Sequence, residues 1–272
     1  MEFLKGRLPI ILFHLGNPTY LSETIERNRR VHTRIVLIGD STNSHLRGVT
    51  HVHYETLRTP ELTEFESKFV NYSTNSAAIE KLCFSRMFYI RKWLQLNGLT
   101  SCVHLDSDCV LLRPVNEIFN GTTAYSYVST SDHFAASVHV SYLTMDFLLR
   151  FEQLCRNIYV TGSLFHLIEP KIRHHKENSI PGGICDMTLY YLLTKEMPVR
   201  ALLDIQPDGS VFDDNINDSF GFLGKDTFVL TEGKKTIRKV GDRFEARCTT
   251  GQWIRINNLH FQGNAKQYIK MI

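Results

Sequence analysis

The sequence predicts an α/β fold with a mixed central sheet flanked by helices. Three observations predict it. Continuous apolar runs, typical of strands buried on both faces, alternate with helical stretches through the first half of the chain. One of these runs ends on an acidic pair, Asp106-Ser107-Asp108. The tail beyond residue 226 reads instead as short antiparallel strands joined by Gly turns.

The elements follow in order. Residues 9–16 (PIILFHLG) are the first buried strand. Residues 23–32 then read as a helix, 34–40 (RIVLIGD) as a second strand, and 49–55 as a third. The best helix spans 77–97, where Cys83, Met87, Ile90 and Leu94 recur at helical spacing and Gly98 supplies a stop. Residues 101–106 (SCVHLD) form the strand that ends on the acidic pair. After residue 120 the pattern changes: 123–130 and 134–142 read as strands, 143–158 as a helix, and 181–196 as a glycine turn opening a helix. No repeat or linker interrupts the 272 residues, which read as one domain with halves 1–112 and 113–272.

Composition excludes several classes. With 31 basic and 28 acidic residues the formal charge is only +3, which argues against a nucleic-acid binder and suits a ligand carrying phosphates. The six cysteines include no CxxC pair, so a zinc cluster is not expected; they read as small buried hydrophobes in a reducing compartment. No run is long enough to span a bilayer, and no signal-peptide cleavage pattern follows the apolar N-terminal stretch. The expectation is a cytoplasmic protein without a transmembrane segment. The basic stretch 171–176 (KIRHHK) is its candidate for peripheral contact with a membrane or an acidic acceptor. N-x-S/T triplets at Asn71, Asn120 and Asn217 carry little weight without a secretory signal.

The acidic pair is the most informative segment. In open α/β sheets ligands bind beyond the carboxyl ends of the strands. Two carboxylates there, Asp106 and Asp108, can reach one hard divalent ion, Mn²⁺ or Mg²⁺. Such an ion bridges the phosphates of a nucleotide-sugar and offsets the charge on the leaving diphosphate. The plainer alternative is a strand-end turn whose Asp side chains hydrogen-bond locally.

The segment HLDSDCVLLRPVNEIF (104–119) resembles the glycosyltransferases of the GT-A fold, in which an apolar strand, D-x-D and a second apolar strand lead to a Pro. Near the other end, His260, Gly263 and Lys266 form H-x-x-G-x-x-K. This is similar to the C-terminal signature of the glycogenin and lipopolysaccharide-galactosyltransferase family (glycosyltransferase family 8). The resemblance implies that His260 is a third metal ligand and that Gly263 and Lys266 meet the diphosphate. The first half would bind nucleotide, and the second would hold the acceptor and the closing segment. Lys266 is followed by Gln267 and Tyr268 rather than Pro-Trp, a departure from that signature.

Further roles follow from the same resemblance. Arg86, on the helix before the D-x-D strand, contacts the diphosphate or steadies the metal Asp. Asp186 reads sugar hydroxyls, although Cys185 stands where that family commonly has Gln. His14, Gly16 and Asn17, at the end of the first strand, face the nucleobase. Asp40 is either a nucleoside ligand or a turn residue. Gly182 and Gly183 close against the donor or simply begin a helix. Residues 212–218 (FDDNIND) read as a solvated acidic loop, with Asp213 or Asp214 as a candidate base. The adjacent His174 and His175 diverge on a helix and make poor metal ligands.

The expected reaction is glycosyl transfer from an NDP-sugar, preferentially UDP-sugar, to a hydroxyl of a glycan, lipid-linked or small-molecule acceptor. The C-terminal motif favours retention. An inverting enzyme would need Asp186 or Asp213 as its base. The rivals are a metal-dependent phosphohydrolase with Asp106 as nucleophile, and a binding module without turnover.

Overall fold

The computed structural model describes residues 8–119, 124–128 (backbone only), 134–202, 204–221 and 227–272. Its centre is a seven-stranded sheet of order β3-β2-β1-β4-β7-β6-β8. These strands are β1 (Ile10–Phe13), β2 (Ile35–Gly39), β3 (Thr50–His53), β4 (Ser101–Leu105), β6 (Ala124–Val128), β7 (Ala136–Thr144) and β8 (Arg200–Ala201). The first four are parallel, while β7 runs antiparallel to both β4 and β6. The sheet is therefore mixed, as expected.

Strand alternation divides the core between two faces. Ile10 and Leu12 of β1, Ile35 and Leu37 of β2, and Val103 and Leu105 of β4 pack on one side. There they meet α1 (Thr19–Arg29), which buries Leu21, Thr24, Ile25 and Asn28 at helical spacing. Ile11, Phe13, Val36, Ile38 and Cys102 pack on the other side. That layer holds α2 (Pro60–Lys68), α3 (Ala77–Leu96), α4 (Met145–Cys155) and α6 (Asp186–Leu193). Phe65, Phe84, Phe88 and Phe151 interleave there, with ring centroids 5.4–6.4 Å apart.

Local chemistry explains several boundaries. The α3 helix stops at Asn97, and Gly98 takes a positive φ of 61° beyond it. The α2 helix, missed from periodicity, is capped by the Thr59 side chain and carries Pro60 in its first turn. The stretch expected as one helix over 143–158 is shared: β7 runs to Thr144, whose hydroxyl caps α4, and a π-helical turn covers Arg156–Val160. The basic stretch lies in α5 (Glu169–Glu177), which carries Pro170 in its first turn. Asn120 lies outside the described residues. Among those residues, no helix is long and apolar enough to cross a membrane.

A smaller unit completes the chain. It comprises the hairpin β9 (Leu230–Thr231) with β10 (Lys234–Lys235), the antiparallel sheet β11 (Ile237–Val240), β12 (Arg243–Arg247) and β13 (Trp253–Arg255), and β14 (Asn258–His260). The β14 strand pairs antiparallel with β5 (Cys109–Leu111), the short strand after the acidic turn. A 3-10 run over Gly263–Met271 follows and packs on α1.

Asn28 ties these parts together. Fully buried on α1, it donates to the Cys109 carbonyl at 2.9 Å and accepts from the Leu111 N–H at 2.8 Å. Asn28→Ala leaves both backbone groups buried and unpaired. The expected loss is about 2–4 kcal/mol in urea unfolding, and a loss below about 1 kcal/mol would mean that water or a local shift satisfies them.

Candidate active site

The strand order reverses between β1 and β4, so the carboxyl ends of these two strands form a topological switch point. His14, Gly16 and Asn17 leave β1 there, and Asp106, Ser107 and Asp108 leave β4. The Ser107 hydroxyl lies 2.9 Å from His14 Nδ1 and joins the two strand ends. Burial, then Lys266, holds the His14 pKa below the usual imidazole value.

Asp108 meets the C-terminal motif. His260 Nε2 lies 3.3 Å from Asp108 Oδ1, and Lys266 Nζ lies 3.2 Å from Asp108 Oδ2. The β5–β14 register places His260 opposite Cys109, and the Phe261 N–H donates to the Asp108 carbonyl at 2.9 Å. His260 Nδ1 donates to the Asp214 carbonyl at 2.5 Å, which leaves Nε2 to face Asp108. Burial would lower the His260 pKa, but the Asp108 carboxylate outweighs it and raises the pKa to about 9. A carboxylate and a carbonyl-oriented imidazole fit a divalent ion of the Mn²⁺ type. Among the described residues, the group of three that converges is Asp108, Cys109 and His260, all buried. Burial, then Asp108, pushes the Cys109 thiol well above its ordinary range.

Asp106 faces elsewhere. Its Oδ1 accepts from Arg86 Nη1 at 2.6 Å, and the other arm of the guanidinium, Nη2, donates to Asp186 Oδ2 at 2.6 Å. Arg86 thus forks between the strand-end acid and the α6 acid. Burial would raise the Asp106 carboxyl, but Arg86 reverses this and holds it well below the carboxylate range. His104 Nε2 also lies 3.3 Å from Asp106 Oδ1, although it is not aligned as a hydrogen bond. Asp186 additionally accepts from the Tyr190 hydroxyl at 3.1 Å and from the Met187 N–H at 2.8 Å.

The acidic loop departs from expectation. Asp213 is fully buried rather than solvated, because Lys235 Nζ lies 2.6 Å away and is equally inaccessible. Asp213 Oδ2 also accepts the backbone N–H of His260 at 2.9 Å. A carboxylate spent on an ion pair and a backbone amide is not placed to act as a base. Asp214 is largely buried, and burial, then Asp213, raises its pKa to about 6. His139 stacks on His260 with ring centroids 4.2 Å apart; its Nε2–H donates to the Asp213 carbonyl at 3.1 Å and its Nδ1 accepts from the Ser137 hydroxyl at 2.8 Å. Burial, then His260, keeps it neutral.

Other expected roles change in detail. Asp40 makes a local turn: Oδ1 accepts from the Thr42 N–H, and Oδ2 accepts the Gly16 N–H at 2.8 Å. It shapes the β1 loop from behind. Asn17 is exposed, with Nδ2 at 3.4 Å from His45 Nε2. Gly183 has φ 141°, and an added Cβ would lie 2.1 Å from the Tyr72 carbonyl oxygen, so close approach of that strand segment requires it. Gly263 takes φ 55° with no atom within 4 Å of an added Cβ, so the space over its Cα is open. His174 and His175 lie on α5 and are not among the converging metal donors. Sequence reasoning missed Tyr20, whose ring lies 5.1 Å from Lys266 Nζ and whose hydroxyl lies 3.5 Å from Ser107 Oγ, and also Cys109, His139 and Lys235; none of them carries a motif.

No protein-family model matches the chain, and comparison with curated proteins finds no match. Solved structures do resemble it. Mouse xyloside xylosyltransferase 1 aligns over 72% of this chain and 85% of its own, at 13% identity and a TM-score of 0.43. A glycosyltransferase involved in glycosylation of the major capsid of PBCV-1 aligns over 97% of this chain and 100% of its own, at 10% identity and a TM-score of 0.44. The bifunctional glycosyltransferase WbbM aligns over 79% of this chain and 41% of its own, at 11% identity and a TM-score of 0.42. Likenesses this remote fix neither a family nor an activity.

The buried ion pair behind His260 gives a direct expectation. Lys235→Ala strands the Asp213 charge and should cost about 3–5 kcal/mol in urea unfolding. Asp213→Asn combined with Lys235→Ala should recover part of that loss; strict additivity of the two changes would show that the residues are not coupled.

Proposed function

We propose that this chain is a metal-dependent glycosyltransferase of the GT-A type, acting on a nucleotide-sugar donor. The observation that carries the proposal is the meeting of Asp108 with His260 and Lys266, from segments far apart in sequence, at the switch point of the sheet. Asp108 and His260 would hold Mn²⁺ or Mg²⁺, with Asp106 beside them. The ion would supply Lewis-acid stabilisation of the leaving diphosphate.

The chain's own residues do the rest. Lys266 is one-third exposed and can pass from Asp108 to a phosphate oxygen. Gly263 permits backbone approach to the diphosphate. Arg86 fixes Asp106 and Asp186 in one frame, so that Asp186 is held as an acceptor for donor-sugar hydroxyls. His14, Gly16 and the nearby Asn17 would border the base, for which UDP is the preferred candidate. Retention is favoured by the C-terminal motif, and two candidate inverting bases are committed elsewhere: Asp213 to Lys235, and Asp186 to Arg86 and Tyr190. The Arg86 fork on Asp106 likewise argues against a phosphohydrolase nucleophile. The acceptor would be a glycan, a lipid-linked sugar or a small molecule.

A panel of UDP-, GDP-, ADP- and dTDP-sugars with Mn²⁺, and then with EDTA, tests the reading by donor hydrolysis and thermal shift. One nucleotide class should stabilise the chain and be hydrolysed, with both effects lost in EDTA. Asp108→Ala and His260→Ala should each weaken metal-dependent donor binding by about tenfold or more. Normal Mn²⁺ affinity in folded His260→Ala would remove His260 from the site. Arg86→Lys keeps the charge but not the fork, so turnover should fall by about tenfold or more with the fold intact. Turnover of simple phosphomonoesters with no response to any donor would replace the transferase with a phosphohydrolase.

A further inference from the structure

The donor set that converges is not the pair of aspartates. Arg86 engages Asp106 in an ion pair, whereas the ligand atoms of Asp108, Cys109 and His260 lie within 4.8 Å of one another. The arrangement has a cause in the backbone. Cys109 and His260 are direct partners in the antiparallel β5–β14 pair. Residues directly opposed in such a pair project to the same side. Asp108 sits one residue before β5, and its carbonyl accepts from the Phe261 N–H, which locks the turn to the partner strand. Asn28 grips the Cys109 carbonyl from behind. Sulfur, imidazole nitrogen and carboxylate oxygen therefore approach one point from a single rigid strand pair.

We propose that Asp108, Cys109 and His260 form a thiolate-containing site for a borderline-soft divalent ion, Zn²⁺, Co²⁺ or Cd²⁺, overlapping the hard-ion site through Asp108 and His260. This deepens the functional reading and rests on its assignment of those two residues. A thiolate shifts preference away from Mn²⁺ and Mg²⁺ toward zinc-like ions. One carboxylate, one thiolate and a neutral imidazole balance a dication, which suits a buried position. Three protein ligands leave a fourth position open. On binding, the Cys109 S–H and His260 Nε2–H bonds break, both protons leave to the buffer, and metal–sulfur and metal–nitrogen bonds form, with no change of oxidation state. Because both ions need Asp108 and His260, a zinc-like ion would displace Mn²⁺ rather than add to it.

The test titrates Co²⁺ into the full chain after chelator treatment and follows absorbance. A sulfur-to-cobalt charge-transfer band should rise in the near ultraviolet and saturate at about one equivalent. Cys109→Ser should abolish the band. It should lower Zn²⁺ affinity by about tenfold or more, measured against a chromophoric chelator, while Mn²⁺ affinity changes by less than about threefold. His260→Ala should also lose the band, which separates this site from the part-exposed Cys83 and Cys185. Circular dichroism checks each fold, and Cys109→Ala serves if the Ser variant does not fold. Co²⁺ binding to the unsubstituted chain without the band, no Co²⁺ binding, or a band that survives in Cys109→Ser or His260→Ala would each overturn the proposal. The band alongside no donor response with any metal would keep this site and sink the transferase. Donor hydrolysis with Mn²⁺ and no band would do the reverse.

Discussion

The short antiparallel pairing of β5 with β14 holds the candidate site together. Its register, Asn258 with Leu111 through His260 with Cys109, carries a C-terminal histidine to an aspartate at the end of a central strand. A slip of one residue would turn His260 into the apolar cluster of Leu259 and Phe261. The structure guards that register from both sides. Asn28 pairs with the backbone of β5 from α1, while Asp213 accepts the His260 amide and Asn258 bonds the backbone of Asp213. These are buried polar contacts with directional geometry, and they specify position more than they add stability.

Buried charge is organised in two units with different roles. Lys235 and Asp213 lie out of water behind His260 and face no open space. Such a pair offers little net stability over an apolar substitute, so its use here is positional. Arg86, Asp106 and Asp186 stand at the opening of the sheet, where Asp106 remains partly exposed. There the guanidinium sets two carboxylates at a fixed separation through its planar fork. One unit holds the His260 backbone amide from behind, and the other holds two carboxylates on a single guanidinium.

The two core layers explain why these units can be precise. The alternation of β1, β2 and β4 locks α1 on one face and α3 with α6 on the other. His104 alternates away from Val103 and Leu105, toward the α3 side, and so reaches Asp106. Side chains mounted on helices and strands that are fixed from both faces hold position better than side chains on loops.

Much of the fold was legible in the residues alone. Continuous apolar runs marked β1, β2 and β4, and helical spacing with a Gly stop marked α3, because burial on both faces leaves a strong local signal. Two short motifs singled out Asp106, Asp108, His260 and Lys266 as candidates, and the resemblance added Arg86 from its place on the preceding helix. Tertiary structure decided what no motif encodes. It drew Asp106 to Arg86, so that Asp108 alone meets His260, and it set Cys109 across from that histidine. It also buried Asp213 on Lys235, which a run of acidic and polar residues had suggested was solvated. The physical reason is range. Periodicity and capping act over a few residues and are written locally, whereas strand register and charge pairing join segments whose separation in sequence carries no pattern.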